Sequence, residues 1–144
     1  MEDEKAAIVH YAGSDLFIGV TPSGHALALD GGSGTNAAPS PVELLLVALG
    51  TCTAVDVISI LKKKREQVTE YRVEVKGERR EDYPRSFKRM TVHHIIKGRK
   101  ISPRSVAQAI ELSETKYCSV AATLRPTVEI LSTFETIEED QPGK

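Results

Sequence analysis

The stretch Pro41–Leu61, PVELLLVALGTCTAVDVISIL, decides how this chain folds. Three helix-start signals precede or open it. Ser40 fits the N-cap, Pro41 the first helical position, and Glu43 can reach back to the cap, as in a capping box. The residues that follow are apolar nearly all round a helix, so every side of that helix must be covered. Residues 42–61 also have the length of a membrane span. Glu43 and Asp56 lie inside that run, and a carboxylate near the bilayer centre costs at least ~2.5 kcal/mol. The expectation is therefore a helix buried in protein, with no membrane role. A lone chain of 144 residues with few strands has difficulty covering it. A homodimer in which two sheets enclose paired central helices meets that need, and Gly50 would let a second helix approach closely.

Outward from this helix, the pattern changes to short strands. Residues 6–11 and 16–20 read as strands on either side of Gly13-Ser14-Asp15. Residues 25–30 form a third candidate, and Pro22-Ser23-Gly24 makes a hairpin of 16–30. GGSGTNAAPSP, residues 31–41, is a loop. Beyond the helix, residues 69–80 and 87–97 alternate and suggest an antiparallel pair. Ser102-Pro103 repeats the N-cap and proline signal for a helix to about Lys116. A short helix from Ser119 to Leu124 and a last strand over 127–137 follow. Strands and helices come in blocks, which predicts an α+β fold. The chain reads as a single domain over 1–144, with 1–5 and 138–144 as disordered tails.

Composition narrows the function. A net charge of −1 gives no global field for nucleic acid or an anionic membrane. Aromatics make up 5% of residues and Trp is absent, which disfavours a base-stacking platform. The opening MEDEK is acidic and lacks an apolar signal region, so the expected location is cytoplasmic, where thiols stay reduced. His10, His25, His93 and His94 show no metal-ligand spacing, and no phosphate loop, HExxH or GxSxG is present. No cofactor and no metal are expected.

The two cysteines carry the chemistry. Cys52 lies in the apolar helix and Cys118 in KYCSVAATL, too far apart in sequence for a CxxC motif or a zinc knuckle. If the fold joins them, they suit an attacking thiol and its resolving partner. They also suit two buried small hydrophobes. A nucleophilic cysteine needs thiolate character. Asp56, four residues after Cys52 on the same helix face, would raise the Cys52 pKa when ionised. An activating cation must come from elsewhere, and Arg79, Arg80, Arg85 and Arg89 are candidates, although a solvated charged hairpin is the stronger explanation of them. Glu43 is accounted for by capping alone. A helix starting at Ser119 would favour a thiolate at Cys118.

APSPVELLLVALGTCTAVDVISIL resembles the loop and cysteine helix of the OsmC/Ohr family, named for osmotically induced protein C and organic hydroperoxide resistance. Leu44 and Cys52 keep the family's spacing, and LSETKYCSVAATL resembles its second cysteine region. The order of elements matches over about residues 6–137. Ser23-Gly24-His25, DGGSG at 30–34, the CxAxDVxSIL pattern from Cys52 to Leu61, ERR at 78–80 and KYCSV at 116–120 resemble the YhfA-like branch.

The resemblance implies antiparallel sheets wrapped around long central helices in an intertwined homodimer. It further implies a thiol-dependent, peroxiredoxin-type peroxidase acting in oxidative stress defence on organic hydroperoxides or hydrogen peroxide. Cys52 would attack the peroxide, Cys118 would resolve the sulfenic acid as a disulfide, and a dithiol such as a lipoylated protein would restore both thiols. Two positions depart from the family. Its peroxidase glutamate falls on Val42, with Glu43 next to it, and its activating arginine belongs to a turn that is Gly13-Ser14-Asp15 here. Arg79, Arg80, Glu43 and Asp56 are the possible supporting residues. The alternative is a non-peroxidatic small-molecule binding or thiol-carrier protein on the same fold; inert thiols on a structural scaffold are a third reading.

Overall fold

In the computed structural model, residues 4–32 and 34–140 are described, and they fall into two compact units, Met1–Leu45 and Leu46–Lys144. The first unit holds strands β1 (Ile8–Gly13), β2 (Leu16–Val20) and β3 (Ala26–Asp30). They form an antiparallel sheet in the order β1-β2-β3. The β1–β2 turn sets Gly13, Ser14 and Asp15 all at positive φ, a conformation that short polar residues and glycine tolerate. The loop after β3 is organised by the buried Asp30. Its carboxylate accepts from the Gly32 amide at 2.8 Å and the Ala37 amide at 3.0 Å.

Helix α1 (Pro41–Lys63) starts as the sequence predicts. The Ser40 amide donates to Glu43 Oε1 at 3.3 Å, and the Glu43 amide donates to Ser40 Oγ at 3.2 Å. Two helix-end donors that would otherwise lack partners are thereby satisfied.

The second unit contains most of α1, strands β4 (Gln67–Arg79) and β5 (Phe87–Arg99), helix α2 (Pro103–Leu112), a π-helical turn (Ser113–Tyr117), helix α3 (Ser119–Leu124) and strand β6 (Glu129–Glu138). Strands β4 and β5 pair antiparallel. Strand β6 pairs with β5 in parallel, so this sheet is mixed, not wholly antiparallel. The reason is the crossover: α2, the π-turn and α3 carry the chain back to the end of the sheet where β5 began. Strand β6 also takes in Glu138, which the sequence assigned to the tail. The Lys100 amide donates to its carboxylate at 3.0 Å and fixes it. Residues 1–3 and 141–144 of the expected tails lie outside the described residues.

Strand β5 is the middle strand, and its alternation buries Met90, Val92, His94 and Ile96 on one face. Val57 and Leu61 from α1, Ile96 from β5, and Val106, Ala109 and Ile110 from α2 form the core cluster. Full burial of an aliphatic side chain of this size contributes ~1.5–3 kcal/mol. Gly50 is buried against β4: an added Cβ would lie 2.8 Å from Val75 Cγ2. The close approach it permits within the chain is therefore to a strand, where the sequence suggested a second helix.

Helix α1 is long and apolar enough to cross a membrane by length and composition, and 28% of its most apolar stretch is buried within the protomer. Leu49, Gly50, Thr53, Val57 and Leu61 form the inward face, whereas Val47 and Val55 are 60% and 59% exposed. In the first unit, Ile8, Val9 and Tyr11 on β1 are likewise exposed.

Candidate functional site

The site lies in the second unit, where α1 meets the π-turn and the start of α3. The contact is set by Ser113, the first residue of the π-turn, whose side chain is fully buried. Its hydroxyl donates to Asp56 Oδ2 at 2.8 Å and lies 3.0 Å from Thr53 Oγ1. Thr53 and Asp56 flank one turn of α1, and Cys52 precedes Thr53. Tying Ser113 to that turn brings the Cys118 end of the π-turn to Cys52.

The π-turn also fixes the Cys118 backbone. Its amide donates to the Ser113 carbonyl at 2.7 Å, five residues back instead of four. Such wider turns are rare and recur at functional sites. Cys118 then caps α3, with the Ala121 amide donating to Sγ at 3.3 Å. Both cysteines are free; Cys52 is half-buried and Cys118 is buried.

Burial is the main influence on the Cys118 thiol and pushes its pKa up to about 11. The neighbouring Cys52 thiol raises it further, which places the two cysteine side chains close to each other. The Ala121 amide pulls the other way, more weakly than burial. The expectation that the α3 start would favour a thiolate at Cys118 is thus overturned: the amide contact exists, but desolvation of the buried sulfur outweighs it.

Leu49, Thr53, Val92, Glu114, Cys118, Ala121, Ile130 and Ser132 line a cavity of about 10 Å³. Glu114 is half-buried there. Burial raises its carboxyl pKa, and the positive charge of Arg125 opposes that rise. Ser132 Oγ donates to Glu114 Oε1, and Arg125 Nη1 donates to the Glu114 carbonyl at 2.9 Å.

The structure therefore joins Cys52 with Cys118 and attaches Asp56 to the same junction through Ser113. The other supporting candidates have different placements. Glu43 closes the α1 capping box. Arg79 Nε donates to the Arg85 carbonyl at 2.7 Å, and the exposed Arg80 donates its amide to the Ser86 carbonyl at 2.8 Å, so both organise the β4–β5 hairpin. Arg89 pairs with Glu78 at 2.9 Å. Tyr117 is about half exposed, with Lys116 Nζ 5.4 Å from its ring centroid. His93 and His94 point to opposite faces as their adjacency requires: His93 contacts Thr133 and Glu135, and His94 contacts Tyr71.

Sequence reasoning missed Ser113, Glu114, Arg125 and Ser132. The segment from Ser102 to Lys116 reads as one helix, and a shift to five-residue hydrogen bonding leaves no mark in side-chain periodicity. The one available signal was polar: Thr53 and Ser113 interrupt faces that are otherwise apolar.

A family model described as OsmC-like protein matches residues 32–132. The chain belongs to the OsmC family. It is 45% identical over 121 residues to Protein YhfA of Escherichia coli (strain K12), covering 84% of this chain and 90% of that protein. Among solved structures, a hypothetical protein from Aquifex aeolicus VF5 superposes with a TM-score of 0.85 at 30% identity, covering 96% of this chain and all of that one. An organic hydroperoxide resistance protein OsmC from Legionella pneumophila gives a TM-score of 0.67 at 16% identity, over 92% and 96% of the two chains, which is a likeness of fold alone. This membership accounts for the α+β architecture with two three-stranded sheets.

Proposed function

We propose that this chain is a thiol-dependent peroxidase with Cys52 as the attacking residue and Cys118 as the resolving one. The observation that carries the reading is the meeting of two free thiols, distant in sequence, at one junction of α1 and the π-turn. In the first step Cys52 sulfur attacks the peroxide O–O bond, giving an alcohol or water and Cys52 sulfenic acid. Cys118 sulfur then attacks Cys52 sulfur, and the sulfenic oxygen leaves as water. A dithiol such as a lipoylated protein reduces the resulting disulfide in the reducing cytoplasm. Family membership supports the reaction type, and the hydroperoxide resistance named for the Legionella protein suggests organic hydroperoxides as substrates, with hydrogen peroxide the other candidate.

The working unit in this proposal is a homodimer. Support comes from the uncovered apolar side chains, Val47 and Val55 on α1 and Ile8, Val9 and Tyr11 on β1, which a second copy would remove from water.

A second reading, a thiol carrier or small-molecule binder on this fold, is favoured by the burial that pushes the Cys118 thiol up and by Val42 and Ser14 at the family's glutamate and arginine positions. One experiment separates the two. Freshly reduced protein is treated with sub-stoichiometric cumene hydroperoxide or hydrogen peroxide, alkylated at timed intervals, and mapped by mass. The peroxidase reading expects a Cys52–Cys118 disulfide in the parent protein, a trapped sulfenic acid in Cys118→Ser, and no peroxide consumption in Cys52→Ser. Full turnover by Cys52→Ser, or thiols unmodified by both oxidants, would overturn it; an acyl or persulfide adduct on the purified protein would point to the carrier.

A further inference from the structure

We infer that Glu114 is the proton acceptor for Cys118, so that the carboxylate and the sulfur it serves share the cavity between α1, the π-turn, β5 and β6. The inference rests on the resolving role proposed above for Cys118. Four observations support it. First, Glu114 and Cys118 both line a cavity with roughly one water molecule's space, enough for a single bridging water to relay the proton. Second, Glu114 is the only other titratable residue in its lining. Third, the π-turn joins Glu114 to Cys118 over four residues, with the Cys118 amide held on the Ser113 carbonyl. Fourth, the carboxylate is oriented: Ser132 donates to Oε1, and Arg125 holds the Glu114 backbone.

The surroundings limit which other group could take the proton. On α1, Cys52 is the reaction partner and Asp56 accepts from Ser113. Strand β5 contributes Val92, and β6 contributes Ile130 and Ser132, none of which titrates in the working range. Arg125 on the α3 side is a cation and cannot accept. Burial pushes the Cys118 thiol up, so a neighbouring base speeds its attack. Burial also raises the Glu114 carboxyl, which brings it nearer to the thiol it must deprotonate.

The step balances without a further reagent. Cys118 loses its proton to Glu114, and its sulfur attacks Cys52 sulfur of the sulfenic acid. The S–O bond breaks, hydroxide departs, and the proton on Glu114 returns to it as water. The carboxylate is regenerated, and the two electrons that form the disulfide's oxidation state were removed earlier by the peroxide.

The test bypasses peroxide. Dithionitrobenzoate converts Cys52 to its mixed disulfide and releases one thionitrobenzoate; attack by Cys118 then releases a second, followed by absorbance across pH. Cys118→Ser should release only the first. In the parent protein the second phase should level off above the Glu114 ionisation. Glu114→Gln should slow it about 100-fold near neutrality and make it climb in proportion to hydroxide, whereas Glu114→Asp should recover part of the rate. Ser132→Ala, which removes a donor to the carboxylate, should move the pH midpoint upward and provides a test if Glu114→Gln does not fold. A Glu114→Gln second phase with the parent's rate and pH profile would overturn the inference, as would a parent protein that releases no second equivalent. If cumene hydroperoxide fails to oxidise Cys52 while the second phase still depends on Glu114, the peroxidase reading falls and the role of Glu114 stands.

Discussion

Acid should destabilise this protein through one buried histidine. His94 sits on β5 with no solvent exposure. Its Nδ1 lies 2.7 Å from Tyr71 Oη, the two rings stack at 6.0 Å, and Nε2 has no partner. Burial, with the neighbouring His93 charge adding to it, lowers the His94 pKa from 6.5 to about 4. The folded value is below the unfolded one, so on acidification the unfolded chain takes the proton first. Stability is therefore complete above about pH 6.5 and declines as pH falls, with the loss complete near pH 4. At 1.36 kcal/mol per pKa unit the full effect is about 3 kcal/mol. Between about pH 7 and pH 4.5 the expected loss from this group is roughly 2.5 kcal/mol.

The variant that isolates the effect is His94→Phe combined with Tyr71→Phe. Replacing both partners removes the titration and leaves no orphaned hydroxyl, which single replacement would do at a cost of ~1–3 kcal/mol. Urea unfolding followed by circular dichroism, at one fixed protein concentration because an oligomer's stability depends on it, gives the free energies at both pH values. The parent should lose roughly 2.5 kcal/mol more than the double variant on acidification. Parallel losses in the two proteins would refute the reasoning and mean that His94 takes up its proton without disturbing the fold.

Three further outcomes are expected. Gly98→Ala should destabilise by about 3 kcal/mol or more, because its Cβ would collide with the Gln67 backbone carbonyl, which cannot rotate aside; the thermal midpoint measures it, with Gly19→Ala, whose Cβ would meet its neighbours at ordinary contact distances of 3.4 Å and beyond, as the mild control. Ser40→Ala removes the acceptor for the Glu43 amide and should cost about 1 kcal/mol in urea unfolding, with no change in cysteine alkylation. Val55→Glu places a charge on the uncovered side of α1 and should convert a dimeric parent to monomer in sedimentation equilibrium; a monomeric parent would remove the dimer from the proposal.

The elements legible in the sequence are those with strong local signals. Ser40, Pro41 and Glu43 marked the start of α1, Ser102 and Pro103 that of α2, and alternation marked β4 and β5. The direction of β6 was not legible, because pairing is a property of the crossover's length and packing and not of the strand's own residues. Gly50 was read as a contact for another helix, yet Val75 on β4 occupies that space; a small residue signals close approach without naming what approaches. The π-turn was invisible for a related reason. Ser113-Glu114-Thr115-Lys116-Tyr117 has ordinary helical composition, and only the seating of Ser113 on Thr53 and Asp56 shows why the wider turn is retained.

The sequence looked for help for Cys52 among the arginines of the β4–β5 hairpin, where Arg79 holds the loop instead. The polar groups that the fold gathers lie on the Cys118 side: Glu114, Ser132, Arg125 and the Ser113 junction. A carboxylate lining the same cavity as the buried second thiol would, on the proposed mechanism, serve the disulfide-forming step. On the proposed mechanism, the pH dependence of turnover would then report on the second thiol's deprotonation whenever that step is slower than peroxide attack. Deleting Cys118 should consequently abolish the Glu114-dependent limb of the pH profile while sparing the first oxidation of Cys52. That pattern is distinct from loss of a structural residue, which would depress both steps together.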